Sequence, residues 1–370
     1  MSEATWRDHI ALGAAADKGL HHVRVGEKYF GVSRLMYDLL SGLSSQNVPV
    51  DEAATLRHLQ QTLSYGQSQK VYAQLQGFVA GASPSRSLWQ SFLRGLIKFP
   101  LWRPSAAWTA RFQGRILTPA RVALSVLLGL ASLGVAVVKS PALPPITAVG
   151  LGEVLTLWVL IIATTLVHEL GHAMVAAHYG VRPRSVGVAI FFLQPAGYAD
   201  VSDTWLYDRR VRFATALGGF MFQIYPLALA SALWYATSNP LLGHYCLINL
   251  GYFVINLIPF VRTDGYWLLS NALGENNLMN KGTFTLRTLL RDPGQLGRMG
   301  AGDLSFALFG LASSLYVTGL YAYSLGFLWQ LVPWRGNVPV LGVMVGLLLI
   351  GLIVREALRR RRVPRAQGVV

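Results

Sequence analysis

The sequence predicts a mainly α-helical, polytopic membrane protein with about six transmembrane helices behind a small α+β domain. Three observations carry that prediction. Of 370 residues, 53% are hydrophobic and only 13% charged, where soluble globular chains carry about a quarter charged residues. Six stretches are almost free of charge: Val122–Val138, Val149–Val167, Phe213–Trp234, Leu241–Val261, Leu304–Leu331 and Val338–Val354. Each holds at least about 17 residues, enough for a helix to cross a hydrocarbon core. The basic residues then fall almost wholly into alternate connections. With both termini placed in the cytoplasm, 30 of the 32 Lys and Arg lie on that side, and only Lys139 and Arg335 lie opposite. An ordinary soluble enzyme and a disordered chain are excluded, and the net charge of +15 becomes a signal of orientation.

Taken in order, the N-terminus shows no signal-peptide pattern; Asp8 and Asp17 flank a short Ala/Gly-rich run. Two β-prone runs, Val23–Val25 and Tyr29–Val32, surround a Gly26-Glu27-Lys28 turn. Ser33 is placed to cap a helix through Leu35, Met36, Leu39 and Leu40, and Asp51 to cap a second with Leu56, Leu59 and Leu63 on one face. Gln67–Phe78 reads as a third helix. Residues 1–80 hold seven basic and seven acidic side chains, so no concentrated basic face invites nucleic acid. Tyr29-Phe30-x-Val32-Ser33 followed by Tyr37-x-Leu39-Leu40, in a hairpin-plus-three-helix pattern, resembles the PqqD-like fold. That resemblance implies binding of a leader peptide in ribosomal-peptide biosynthesis. A small winged-helix-like domain, or plain N-terminal packing, fits the same pattern.

Between Ser87 and Arg121, Trp89, Phe92, Leu96, Phe99, Trp102 and Trp108 interleave with Arg94, Lys98, Arg103, Arg111 and Arg115. This spacing predicts an amphipathic helix lying in the cytoplasmic membrane interface, with a linker helix packed on the first domain as the other reading. The expected organisation is a cytoplasmic domain over 1–85, an interfacial linker over 86–116, a transmembrane domain over 117–357 and a basic cytoplasmic tail over 358–370. The lone Cys246 excludes an intramolecular disulfide framework and a cysteine-based zinc site.

Ionisable groups within or beside spans are costly, so each is a functional candidate. They are Glu153, His168, Glu169, His172, His178, His244 and Asp264. Glu153, His178 and His244 carry no role legible in the sequence. His168-Glu169-Leu170-Gly171-His172 places two imidazoles one helical turn apart, on a single face that can reach one metal ion. Glu169 projects about 100° away, toward a metal-bound water instead. With 8 His in the chain, the pattern is expected roughly 0.003 times by chance, so accident is a poor account of it. A catalytic zinc takes three protein ligands. Span four ends Asn256-Leu257-Ile258-Pro259-Phe260-Val261-Arg262-Thr263-Asp264-Gly265, where Pro259 breaks the helix and lets Asp264 turn inward at the same depth. Histidines bonded between helices, and an acidic helix end in a Pro/Gly turn, are the structural readings of the two segments.

Taken together, His168-Glu169-x-x-His172 and Asn256-x-x-Pro259-x-x-x-x-Asp264-Gly265 resemble the site-2 proteases, intramembrane zinc metalloproteases of the M50 type. The likeness covers about residues 115–275. It implies that His168, His172 and Asp264 bind Zn2+, that Glu169 is the general base and that Asn256 holds substrate or stabilises the oxyanion. It also implies a short re-entrant β element over Ser185–Leu193 that pairs with an extended peptide, followed by a turn at Gln194–Tyr198. Ala199–Trp205 has the look of these proteins as well. One departure is Ala216-Leu217-Gly218-Gly219-Phe220, where many members read Ala-Gly-Pro. No inserted PDZ domain is evident. The expected function is therefore removal of a leader from a modified ribosomal peptide, at the cell's inner or plasma membrane. The expected partners are the lipid bilayer and a peptide or single-span protein substrate. A regulatory protease that cuts an anti-sigma factor or signal-peptide remnant, and a metal or peptide transporter using the His/Asp cluster, are the alternatives.

Overall fold

The computed structural model describes residues 5–17, 19–26, 28–80, 96–146, 149–191 and 194–330. The chain divides into two compact units, Met1–Asn276 and Asn277–Val370. The first begins with a short helix, α1 (Trp6–His9), and an antiparallel sheet of β1 (Ile10–Asp17), β2 (Leu20–Val25) and β3 (Lys28–Val32) in that order. Gly26 turns between β2 and β3 with φ +59°, a conformation that favours glycine. Three helices follow: α2 (Arg34–Ser45), α3 (Glu52–Leu59) and α4 (Tyr65–Ala80). As the spacing predicts, Ser33 and Asp51 cap the first two by accepting from Met36 N and Ala54 N. Val23, Val25, Leu39, Leu40, Leu43 and Leu59 form the core around Trp6. The Trp6 indole N–H is satisfied there by Thr55 Oγ1 at 2.8 Å.

Among the described residues, five helices are long and apolar enough to cross a membrane: Pro119–Ala142, Leu151–His178, Arg209–Thr237, Pro240–Leu257 and Ala301–Leu320. They correspond to the first five predicted spans; the sixth, Val338–Val354, lies outside the described residues. Their outward faces are apolar, with Val138 70%, Val159 66% and Leu229 65% exposed. Apolar surface on this scale is costly in water and is what lipid covers, as in a membrane protein. We label the elements β4 (Leu96–Trp102), α5 (Ala106–Phe112), α6 (Pro119–Lys139), α7 (Leu151–His178), β5 (Ser185–Phe191), β6 (Gln194–Asp200), α8 (Arg209–Thr237), α9 (Pro240–Leu257) and α10 (Asp264–Leu273). In the second unit, α11 (Leu278–Arg291) and α12 (Ala301–Gln330) pack backbone to backbone. A Cβ on Gly310 would lie 2.3 Å from the Gly282 carbonyl oxygen.

Two local expectations are corrected. The single amphipathic helix expected over 87–121 is not what forms in its described part. Leu96–Trp102 is a strand paired with β5, and only Ala106–Phe112 is helical before Pro119. Pro100 lacks the N–H an interior helical turn requires, and it sits instead where the ladder shifts register between Pro100 and Trp102. Gln194–Tyr198, expected to turn, continues as β6, in register with β5 from Phe191↔Gln194 to Ser185↔Asp200. Among the described strands, the β4-β5-β6 sheet gives β6 a neighbour on one side only.

The site is positioned by the crossing of α7 and α8. A Cβ on Gly171 would sit 2.3 Å from the Gly218 carbonyl oxygen, and one on Gly218 would sit 2.6 Å from that of Gly171. Small residues at this crossing let the two backbones touch. The sheet domain is clasped to the loop after β6, the 3-10 turn Ser202–Leu206. The Tyr29 hydroxyl donates to Asp203 Oδ1 at 2.6 Å. Arg184 reaches the same oxygen at 3.1 Å and Arg24 at 3.5 Å. Burial, and then the neighbouring carboxylate, hold the Tyr29 phenol well above its ordinary range, so it remains a donor.

Candidate metal centre

α7 carries both histidines on its buried face. His168 Nε2 lies 3.1 Å from His172 Nε2. Asp264 comes to them from another segment. α9 ends at Leu257, the chain turns through 258–263, and Asp264 opens α10. A Cβ on Gly265 would fall 2.1 Å from the Leu257 carbonyl oxygen, so the Asp-Gly pair lets the new helix start tight against the end of the old one. Asp264 Oδ2 is then 2.8 Å from His168 Nε2, and Oδ1 is 3.3 Å from His172 Nε2.

The outer nitrogens decide what these atoms want. His172 Nδ1 is 2.8 Å from the Thr215 carbonyl oxygen, which can only accept. His168 Nδ1 is 2.8 Å from Gln223 Oε1. The Gln223 amide is oriented by donating to Asn249 Oδ1 at 2.7 Å. Both rings therefore carry their proton on Nδ1 and aim Nε2 lone pairs at one another and at a carboxylate. Electron-rich atoms at these separations repel unless a cation joins them. A tetrahedral zinc with bonds of about 2.0–2.1 Å sets its ligands about 3.3 Å apart, close to the spacing seen here. Gly219 lies beside the same point: a Cβ there would be 2.4 Å from His168 Nε2 and 2.5 Å from His172 Nε2. The donor set and the space kept by this glycine fit a zinc ion.

Glu169 occupies the adjoining position. One ligand atom each from His168, Glu169 and His172 lie within 4.8 Å of one another. The Glu169 carboxylate accepts a hydrogen bond from Ala199 N–H of β6. Gly197 lets that strand lean in, since a Cβ there would sit 2.6 Å from Glu169 Cγ. Glu169, His172 and Asp264 line one cavity of about 450 Å3, walled by Lys98, Tyr198, Trp205, Arg212 and Arg262. Arg212 is buried and braced by Asn271 Oδ1 at 3.0 Å, with the Trp205 ring 4.9 Å away. Asn256 stands apart. It is half-buried in the last turn of α9 and does not line this cavity.

The remaining ionisable groups are structural. Glu153 accepts from Gly150 N at 2.9 Å and caps the start of α7. His178 Nδ1 accepts from Ile116 N at 3.2 Å, and His244 Nε2 is 3.0 Å from the Pro144 carbonyl oxygen. Gln223 and Gly219 are the members that sequence reasoning missed. A neutral amide inside an apolar span is itself a costly group, and that is the signal in the sequence that points to Gln223. Replacing Gln223 with Leu is expected to weaken zinc binding about 10- to 100-fold, read by competition with a chromogenic chelator.

Comparison of the chain with protein-family models, with curated proteins and with solved structures finds no match. Fold and site together define a multi-helix chain of membrane-protein character with a candidate metal centre of two histidines and an aspartate set among its long helices.

Proposed function

We propose that this chain is an intramembrane zinc endopeptidase of the site-2 protease type. The observation that carries the reading is the convergence of His168, His172 and Asp264, with Glu169 beside them on an open cavity. Zinc, when bound, supplies Lewis acidity and lowers the pKa of water to about 7. Glu169 is then placed to take the proton of the attacking water on its carboxylate and return it to the departing amine, while Ala199 N–H holds the carboxylate in place. β6, with one side unpaired among the described strands, offers backbone groups to an extended peptide next to Glu169.

The substrate we infer is a leader-bearing ribosomal peptide, delivered by the sheet domain of residues 1–85. The Tyr29–Asp203 clasp supports this, because it fixes that domain to the loop that lines the cavity. The distribution of basic residues supports a cytoplasmic location for both termini and for the site, at an inner or plasma membrane. The test is incubation of the purified full chain, in neutral detergent, with a candidate precursor peptide. A single cut is expected, lost with a zinc chelator and restored by added zinc. Cleavage indifferent to the chelator, or metal transport without cleavage, would remove this reading.

A further inference from the structure

A second cavity, of about 380 Å3, opens where the chain enters its first long apolar helix. Arg111, Arg115 and Arg121 contribute its basic lining, and all three are exposed. Arg121 spends one N–H on the Arg115 carbonyl. No Asp or Glu lines the cavity, and among the described residues none of the three arginines forms an ion pair. The other lining side chains are apolar or aromatic: Ile116 is buried, and Phe112, Met174, Met221, Phe222 and Tyr225 are half-buried.

We propose that this cavity binds one anionic phospholipid, the phosphate on the arginines and an acyl chain against Met174, Met221 and Phe222. Charge complementarity and place select that occupant. Three uncompensated cations at the mouth of a pocket beside the start of a membrane-length helix lie where anionic headgroups concentrate. A soluble anion would use the arginines and leave the apolar wall idle. The inference does not depend on the chain being a protease. Phe222 connects it to the fold, since a Cβ on Gly171 would lie 2.8 Å from the Phe222 Cβ at the α7–α8 crossing. A seated lipid therefore braces the crossing on which His168 and His172 depend.

The test uses the delipidated full chain in neutral detergent, titrated with phosphatidylglycerol and followed by native mass spectrometry and thermal melting. One saturable lipid and a raised melting temperature are expected. The triple variant R111Q/R115Q/R121Q should bind about 100-fold more weakly, and R111Q alone about fivefold, with the corresponding triple lysine variant close to wild type. The single variant keeps the test usable if the triple does not fold. Equal affinity in R111Q and wild type, equally tight phosphatidylcholine, or inorganic phosphate binding as tightly as the lipid would each overturn the proposal.

Discussion

Glu169→Gln will hold zinc as the wild type does and will cut peptide at least about 10²- to 10⁴-fold more slowly. The two properties separate because the converging atoms are His168 Nε2, His172 Nε2 and the Asp264 carboxylate, while Glu169 is engaged with Ala199 N–H. Glutamine preserves the size of the side chain and an oxygen to accept that hydrogen bond. It cannot carry the proton of an attacking water. Zinc content by elemental analysis should stay at the wild-type level while the cleavage rate collapses. A variant that loses zinc would make Glu169 a ligand, and a variant that cleaves normally would remove it from the chemistry.

Gly219→Ala will fold and fail to hold metal. The new methyl would lie 2.4 and 2.5 Å from the two Nε2 atoms. Real Cβ contacts do not come that close, so something must shift. The imidazoles cannot swing aside freely, because Thr215 and Gln223 fix their far nitrogens at 2.8 Å each. The substitution should therefore weaken zinc binding by at least about 100-fold, the upper range for disturbing a ligand's orientation. Helix propensity runs the other way, since alanine in place of an interior glycine favours α8 by about 1 kcal/mol. A metal-free protein of unreduced melting temperature is the expected signature. Wild-type zinc content in this variant would show that the metal, if one binds, sits elsewhere.

The parts of the fold that were legible in the sequence are those set by local chemistry. The long helices follow from uninterrupted apolar stretches, the caps at Ser33 and Asp51 from their side chains, and the break at Pro259 from backbone sterics. The paired histidines were legible because helical spacing alone puts them on one face. What was not legible depends on partners far along the chain. β1 is an Ala/Gly-rich run with weak strand preference that forms because β2 pairs with it. β4 has the basic and aromatic rhythm of an interfacial helix, yet it pairs with β5, which lies beyond two long helices. Gly218 and Gly219 looked like a departure from a motif. One admits the α7 backbone and the other keeps the space between two imidazoles, which only the crossing of α7 and α8 reveals. Asn256, assigned a role by resemblance, lies off the cavity, whereas Asn249 earlier on the same helix supports His168 through Gln223.

The central claim is that two histidines and one aspartate converge to hold a zinc ion. Metal analysis combined with X-ray absorption on the purified full chain tests it most directly. The account predicts one zinc per chain with two imidazole nitrogens and a carboxylate oxygen in its shell, and loss of that zinc in Asp264→Ala. A chain that binds no zinc, or that keeps it undiminished when Asp264 is removed, would contradict it.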